Sequence, residues 1–180
     1  MANVTATPMM GFVEAIKTCF SKYATFSGRA RRSEFWWFYL LNAIVSGCVS
    51  AVVSWHAGLM ATAQAEVQAQ LMEHMFDDDF DMSAFTAQIE AQYGSYDTIY
   101  FILLGIFGII SLALLIPTLA AWARRLHDTG KSGHLLWLIL LCGVGGIVPL
   151  VFAIMEGTTA PNQYGESPKF KAVAPAVPGV

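Results

Sequence analysis

The sequence predicts an all-α integral membrane protein with three transmembrane helices, an N-terminal amphipathic interfacial helix and an acidic, partly helical external loop. Three observations carry that expectation. Of the 180 residues, 56% are hydrophobic and only 13% charged, with a mean hydropathy of +0.53, a balance unlike that of an ordinary soluble domain. Three stretches, 35–55, 98–123 and 135–155, contain no Asp, Glu, Lys, Arg or His. At helical rise they are about 30, 39 and 30 Å long, against about 30 Å of hydrocarbon. Finally, the net charge of -3 conceals segregation, with basic residues before the first stretch and between the last two, and acids between the first two.

Residues 1–34 carry Lys17, Lys22, Arg29, Arg31 and Arg32 against Glu14 and Glu34. Phe12, Ile16, Cys19, Phe20 and Tyr23 recur at three-to-four spacing, with Glu14, Lys17, Ser21 and Lys22 on the other side. This is a short amphipathic helix with two placements open to it, on the inner leaflet or against the protein's own cytoplasmic loop. No charged start leads directly into an apolar core, so the first span is expected to act as an uncleaved targeting signal. Span one, 35–55, opens on Phe35, Trp36, Trp37, Phe38 and Tyr39, an interfacial aromatic belt. Ala43, Gly47 and Ala51 offer a shallow face for helix packing.

The segment 56–97 carries eight acids and no Lys or Arg. Ala57 to Met75 extends or restarts a helix, and Ser83 is expected to cap another that Gly94 ends near Tyr93. Span two, 98–123, contains Pro117, which should kink it. A basic turn, 124–134, follows, with Gly130 and Gly133 tightening it. Span three, 135–155, matches the bilayer as a single crossing, which its length favours. Its Gly143–Pro149 run also permits a re-entrant hairpin that returns the tail to the starting side. The polar tail, 156–180, ends in an uncharged, proline-containing stretch expected to fray. Because Lys and Arg mark the cytoplasmic side, 1–34 and 124–134 are expected inside and 56–97 outside.

The most distinctive text is Phe26-Ser27-Gly28-Arg29-Ala30-Arg31-Arg32-Ser33-Glu34-Phe35-Trp36-Trp37, then Arg124-Arg125-Leu126-His127-Asp128-Thr129-Gly130-Lys131-Ser132-Gly133. Glu156-Gly157-Thr158, Asn162-Gln163-Tyr164-Gly165 and Pro168-Lys169-Phe170 close the series. In these motifs, from about Phe20 to Phe170, the chain resembles the bacterial inner-membrane YhaH/YhaI family, a catalogued domain of unknown function. It departs from that family in its acidic insertion and in His134, where an aromatic residue is usual. The resemblance implies a small bacterial inner-membrane protein and carries no activity with it.

The two basic motifs sit at the same ends of neighbouring spans, so their side chains can meet. Arg29, Arg31, Arg32, Arg124, Arg125 and Lys131 are the candidates for holding an anion or lipid headgroup, with Glu34, His127 and Asp128 as structural polar partners. Topology determinants and an internal ion-pair network are the competing readings of the same arginines. No catalytic residue and no metal ligand set is assigned, and no cofactor is expected. His127 beside Asp128 lacks a nucleophile by pattern, Gly130-Lys131-Ser132-Gly133 lacks the first glycine of a phosphate loop, and the histidines and cysteines lack zinc spacing. Asp79, Asp81, Ser83 and Glu90 imitate a calcium loop, with Ala84 where its glycine belongs.

With no basic surplus, nucleic acid is not an expected partner. The expected partners are anionic lipid headgroups and a second copy of the chain or another membrane protein. The leading function is therefore a non-enzymatic membrane protein with an Arg-rich cytoplasmic face. The alternatives are an oligomeric transporter or channel subunit, disfavoured by spans without ionisable residues, and a lipid-phosphate enzyme.

Overall fold

The computed structural model describes residues 4–74, 80–140 and 146–172. In chain order the elements are β1 (Val4–Ala6), α1 (Phe12–Ser21), α2 (Arg32–Glu73), α3 (Met82–Asp128), a 3-10 helix (Gly133–Leu140), α4 (Ile147–Ile154) and β2 (Phe170–Ala172). The chain divides into two compact units, one of Met1–Asn42 with Ala113–Val180, the other of Ala43–Leu112.

The helical class holds, with one addition: β1 pairs antiparallel with β2, Thr5 opposite Lys171, so the fold is not purely α. The Thr7 amide continues this ladder to the Lys169 carbonyl at 2.9 Å. Three residues a side give no alternating apolar pattern, which is why the sequence does not betray the pairing.

In the first unit the α1 face that carries Cys19 is buried on the protein itself. Ala15 and Cys19 are fully buried, Phe12 meets Trp37 edge to face at 5.7 Å, and Phe20 meets Phe38 at 5.9 Å. Of the two placements open to this helix, the chain's own surface takes that face, while Val13 remains 62% exposed. Phe35, Phe38, Ala120, Ala121, Ala123 and Leu126 complete the core of this unit. Phe35 stands edge to face with Trp122 at 4.7 Å, so part of the aromatic belt is core. Pro117 lies inside α3 and cannot donate to the Ala113 carbonyl. The Tyr23 hydroxyl donates to that carbonyl at 2.6 Å, so the continuous helix keeps its proline without an orphaned acceptor.

The last apolar stretch requires a correction, because 135–155 is not one transmembrane helix. It forms the 3-10 helix and α4, which pack on each other, with 141–145 outside the described residues. Eight residues of 3-10 helix rise about 16 Å and eight of α-helix about 12 Å, and neither spans the hydrocarbon. Both ends of the segment lie against the end of α3. A Cβ on Gly133 would sit 3.2 Å from His127 Nε2, and the Thr158 amide donates to the Asp128 carbonyl at 2.9 Å. Pro149 occupies the first turn of α4, where its missing N–H is harmless, so the helix begins anew there.

In the second unit α2 and α3 run antiparallel. Successive contacts advance along one as they retreat along the other: His56 with Asp97 and Tyr100, Glu66 with Tyr93, and His74 with Phe80. The helix expected to end at Gly94 continues through it, so the expected spans 35–55 and 98–123 lie inside longer helices. Asp81, not Ser83, caps the start of α3, accepting from the Ser83 and Ala84 amides at 2.9 and 3.1 Å. That carboxylate is thereby engaged in a cap, and Asp79 of the calcium-like spacing lies outside the described residues. Nothing lies within 4 Å of a Cβ built on Gly47, so the Ala43–Gly47–Ala51 stripe is not packed by this chain among the described residues. The fraying expected at the C-terminus concerns 173–180, also outside them.

Candidate functional site

The end of α3 carries Arg124, Arg125 and Asp128, all buried, and α3 stops there by a Schellman motif. Gly130, at φ 74°, reverses the chain, the Lys131 amide returns to the Leu126 carbonyl at 3.0 Å and the Gly130 amide to His127 at 3.0 Å. Gly130 is therefore required by backbone conformation. The loop before α2 lies alongside, its Ala30 amide donating to the Arg124 carbonyl at 3.0 Å.

Asp128 is the hub. Its Oδ1 accepts from Arg29 Nε at 2.8 Å and its Oδ2 from Arg125 Nη1 at 2.5 Å, with all three side chains at most 6% exposed. The remaining donors of both arginines reach backbone carbonyls of the C-terminal segment. Arg29 takes those of Ala160 at 3.0 Å, Gly165 at 3.3 Å and Thr158. Arg125 takes those of Ala153 at 3.1 Å and Met155, at the end of α4. A buried guanidinium without acceptors is very costly, and the residues that supply these acceptors are the ones that fold the tail back.

Arg124 serves the other side. It bonds Glu34 Oε1 at 3.2 Å and the carbonyls of Lys22 and Thr25 at 3.0 and 2.8 Å, tying the end of α1 to the end of α3. Glu34 lies in the first turn of α2, where a carboxylate also complements the helix dipole. Cys19 Sγ is 3.9 Å from Glu34 Oε1. Burial pushes the Cys19 thiol up to about 12, helped by the Glu34 charge and only partly opposed by Arg124 and Lys22. It is a packing residue, not a nucleophile.

His127 is stacked on Tyr164, with ring centroids 3.8 Å apart and planes 7° apart. Its Nδ1 lies 3.2 Å from the Gly28 carbonyl, and its own carbonyl accepts from Asn162 Nδ2 at 2.9 Å. Asn162 to Gly165 closes a tight turn through two backbone bonds of 3.1 and 2.9 Å, with Gly165 at φ 123°. His127 thus helps hold the tail and does not pair with Asp128. Gly157 passes so close to the hub that a Cβ there would overlap Asp128 Oδ2 and Cγ.

The candidates separate by position. Arg29, Arg124 and Arg125 are buried against internal acceptors, and Glu34, His127 and Asp128 stand among them. Arg31 is anchored to Thr7 Oγ1 and the Thr7 and Pro8 carbonyls at 3.1, 3.3 and 2.8 Å. Lys131 lies over the Phe152 ring at 5.3 Å. Arg32 is exposed and has neither an ion pair nor a hydrogen bond among the described residues. It lines a pocket of about 350 Å³ with Arg31, Ser33, Asp128 and residues of the tail. Sequence reasoning missed Gly157, Tyr23 and the carbonyls of the tail. The signal that did carry was the placing of the two basic motifs at the same ends of neighbouring helices, which brings Arg29 and Glu34 to Arg124, Arg125 and Asp128.

Two helices among the described residues are long and apolar enough to cross a membrane, and the end of α3 carries a buried arginine–carboxylate lattice, the features of a small helical membrane protein. The chain belongs to the family described as "Protein of unknown function (DUF805)", whose profile matches residues 23–166. It is 34% identical over 148 residues to the "Inner membrane protein YhaI" of Escherichia coli (strain K12), covering 82% of this chain and 89% of that one. It is 28% identical over 152 residues to the "Inner membrane protein YhaH" of the same strain, covering 83% and 91%. No solved structure matches the chain.

Proposed function

We propose that this protein is a non-enzymatic, two-crossing inner-membrane protein whose basic cytoplasmic face, formed by Arg31, Arg32 and Lys131, holds anionic lipid headgroups. The N-terminal segment, the end of α3 and the tail belong to one unit, so a single membrane side receives them all. The excess of Lys and Arg in 1–34 and 124–134 argues for the cytoplasm. The relatives' names support the inner membrane.

The observation that carries this reading is Arg32. Its neighbours Arg29, Arg124 and Arg125 are consumed by the fold, whereas Arg32 stands exposed without a carboxylate among the described residues, one turn from the start of the charge-free stretch. An arginine at headgroup depth finds its counter-ion in phosphate. Against catalysis stand the protonated, enclosed Cys19 thiol and the engagement of His127 in stacking and backbone contacts.

Nanodiscs of mixed phosphatidylethanolamine and phosphatidylglycerol, followed by mass spectrometry of the lipid that remains with the protein in detergent, test the reading. Phosphatidylglycerol should be enriched over the starting mixture, and enrichment should fall when Lys131→Gln is combined with neutralisation of Arg31. Retention at the bulk ratio would reject it. A C-terminal reporter active only in the periplasm should stay silent, and a signal from it would reject the two-crossing topology.

A further inference from the structure

The pocket beside Arg32 has features that a general attraction to headgroups does not require. It is a defined concavity of about 350 Å³, at the lower end of the range of small-molecule sites. Two carboxylates in its wall are already engaged, Asp128 by Arg29 and Arg125, and Glu156 by Lys169 at 3.0 Å. Lys169 and Glu156 therefore cancel, and Asp128 is outweighed by its two arginines. Arg31 is held in place by neutral acceptors only, and Arg32 by none among the described residues. The wall is left with a cationic surplus and at least one unoccupied guanidinium fork.

A second, independent observation comes from Ser33, another lining residue. Its hydroxyl is buried with no hydrogen-bond partner among the described residues. Buried hydroxyls are almost always paired, so an unpaired one at the wall of a pocket is a donor awaiting an acceptor. The main chain adds to this. The first intrahelical bond of α2 runs from the Phe35 amide to the Arg31 carbonyl, which leaves the amides of Arg32, Ser33 and Glu34 without intrahelical acceptors at the positive end of a 42-residue helix. Thr158 and Thr159 also line the pocket, the Thr158 hydroxyl being already engaged by the Asp128 carbonyl and Asn162.

We propose that this pocket binds one phosphate-bearing anion, with the Arg32 fork and the Ser33 hydroxyl donating to its oxygens and Arg31 supplying a fixed second charge. This rests on the headgroup reading for its membrane context, and it deepens that reading from a surface to a site. Donors spread over a fork, a hydroxyl and a helix start suit the tetrahedral oxygens of a phosphate better than the plane of a carboxylate. Trp36 lines the same pocket, which places it at the depth where interfacial aromatics and phospholipid phosphates meet. The shared chemistry is a phosphate ester, whether part of a lipid or free in the cytoplasm.

The test uses the full chain in phosphatidylcholine nanodiscs, titrated separately with inorganic phosphate, glycerol 3-phosphate and dihexanoyl phosphatidylglycerol. Thermal unfolding and phosphorus NMR line broadening are the readouts. The wild type should show a saturable response to at least one probe. A response to the free phosphates identifies a soluble ligand, and one confined to the lipid analogue identifies a headgroup. Arg32→Gln should raise the half-saturating concentration at least tenfold and Ser33→Ala several-fold, with Lys17→Gln, on the exposed side of α1 and outside the pocket, unchanged. No saturable response in the wild type, or identical titrations of wild type and Arg32→Gln, would overturn the proposal. If Arg32→Gln melts early without ligand, Ser33→Ala carries the comparison, and a wild-type titration there overturns it equally. Enrichment of phosphatidylglycerol with an Arg32-independent titration leaves the headgroup face standing and removes the pocket. Saturable, Arg32-dependent phosphate binding without lipid enrichment does the reverse.

Discussion

In the first unit three arginines, none more than 6% exposed, meet two carboxylates and seven backbone carbonyls. In the second, the one side-chain contact of ion-pair type among the described residues is His56 Nε2 with Asp97 Oδ1 at 2.7 Å, and Asp97 remains 45% exposed. Around that pair the helices turn apolar side chains outward, Phe101 65% and Ile109 71% exposed. The difference lies in what each region must satisfy. A regular helix meets its own backbone hydrogen bonds and needs few polar contacts, whereas guanidinium groups buried where a loop, a helix end and the tail converge draw in carboxylates and backbone carbonyls, and even there Arg124 Nε is left without a partner among the described residues. Polar groups therefore organise one unit and ornament the other.

The largest effect should come from removing the hub of the polar unit. Asp128→Ala leaves Arg29 and Arg125 buried without their carboxylate, a loss of about 3–5 kcal/mol, where breaking a buried pair usually falls. Denaturant unfolding in detergent measures it, and a midpoint equal to wild type would mean that the lattice is dispensable. Next in size, Gly157→Ala forces a methyl group into Asp128 and should cost about 1–3 kcal/mol. Gly94→Ala, in a helix with nothing within 4 Å, should instead stabilise by up to about 1 kcal/mol through propensity. The opposite signs of two identical substitutions are the sharpest form of the comparison, and equal effects would break it.

A smaller change tests the join between loop and helix. Tyr23→Phe removes the donor to the Ala113 carbonyl that Pro117 leaves free and should cost about 1 kcal/mol. Replacing Pro117 with Ala in the same background should restore most of it, and no recovery would show that the hydroxyl acts elsewhere. The smallest effect belongs to the second unit. Asp97→Asn should lower stability by less than about 1 kcal/mol, because the aspartate is half in water, and the loss should shrink as salt is added. A loss as large as that of Asp128→Ala would abolish the distinction between the units.

Much of the molecule was legible before any coordinates. The charge-free stretches 35–55 and 98–123 announce long apolar helices because hydrophobicity along a helix is local and additive. The basic text 124–134 suggests a turn from its start, whereas α3 continues through Arg124 and Arg125 to Asp128 before Gly130 ends it. Length misled at 135–155, where 21 apolar residues suggested one crossing. The acceptors required by Arg29 and Arg125 draw its far end back, and Pro149 stands in the first turn of the new helix, where it is tolerated. Gly94 and Ser83 misled in the opposite direction, since a glycine inside a strong helix costs only about 1 kcal/mol and the preceding Asp81 is an equally good cap.

By itself the sequence determined the membrane class, the helical character and the clustering of basic motifs at one end, since each depends on runs of similar residues close together in the chain. Only the tertiary structure decided which arginines are consumed and which is left exposed. Arg29 and Arg32 are three residues apart and chemically identical, yet one is enclosed by Asp128, Thr158, Ala160 and Gly165 while the other faces a pocket. Three of those four partners contribute backbone carbonyls, which every residue possesses. No pattern of side chains can mark them until the chain has folded and brought them within hydrogen-bonding distance.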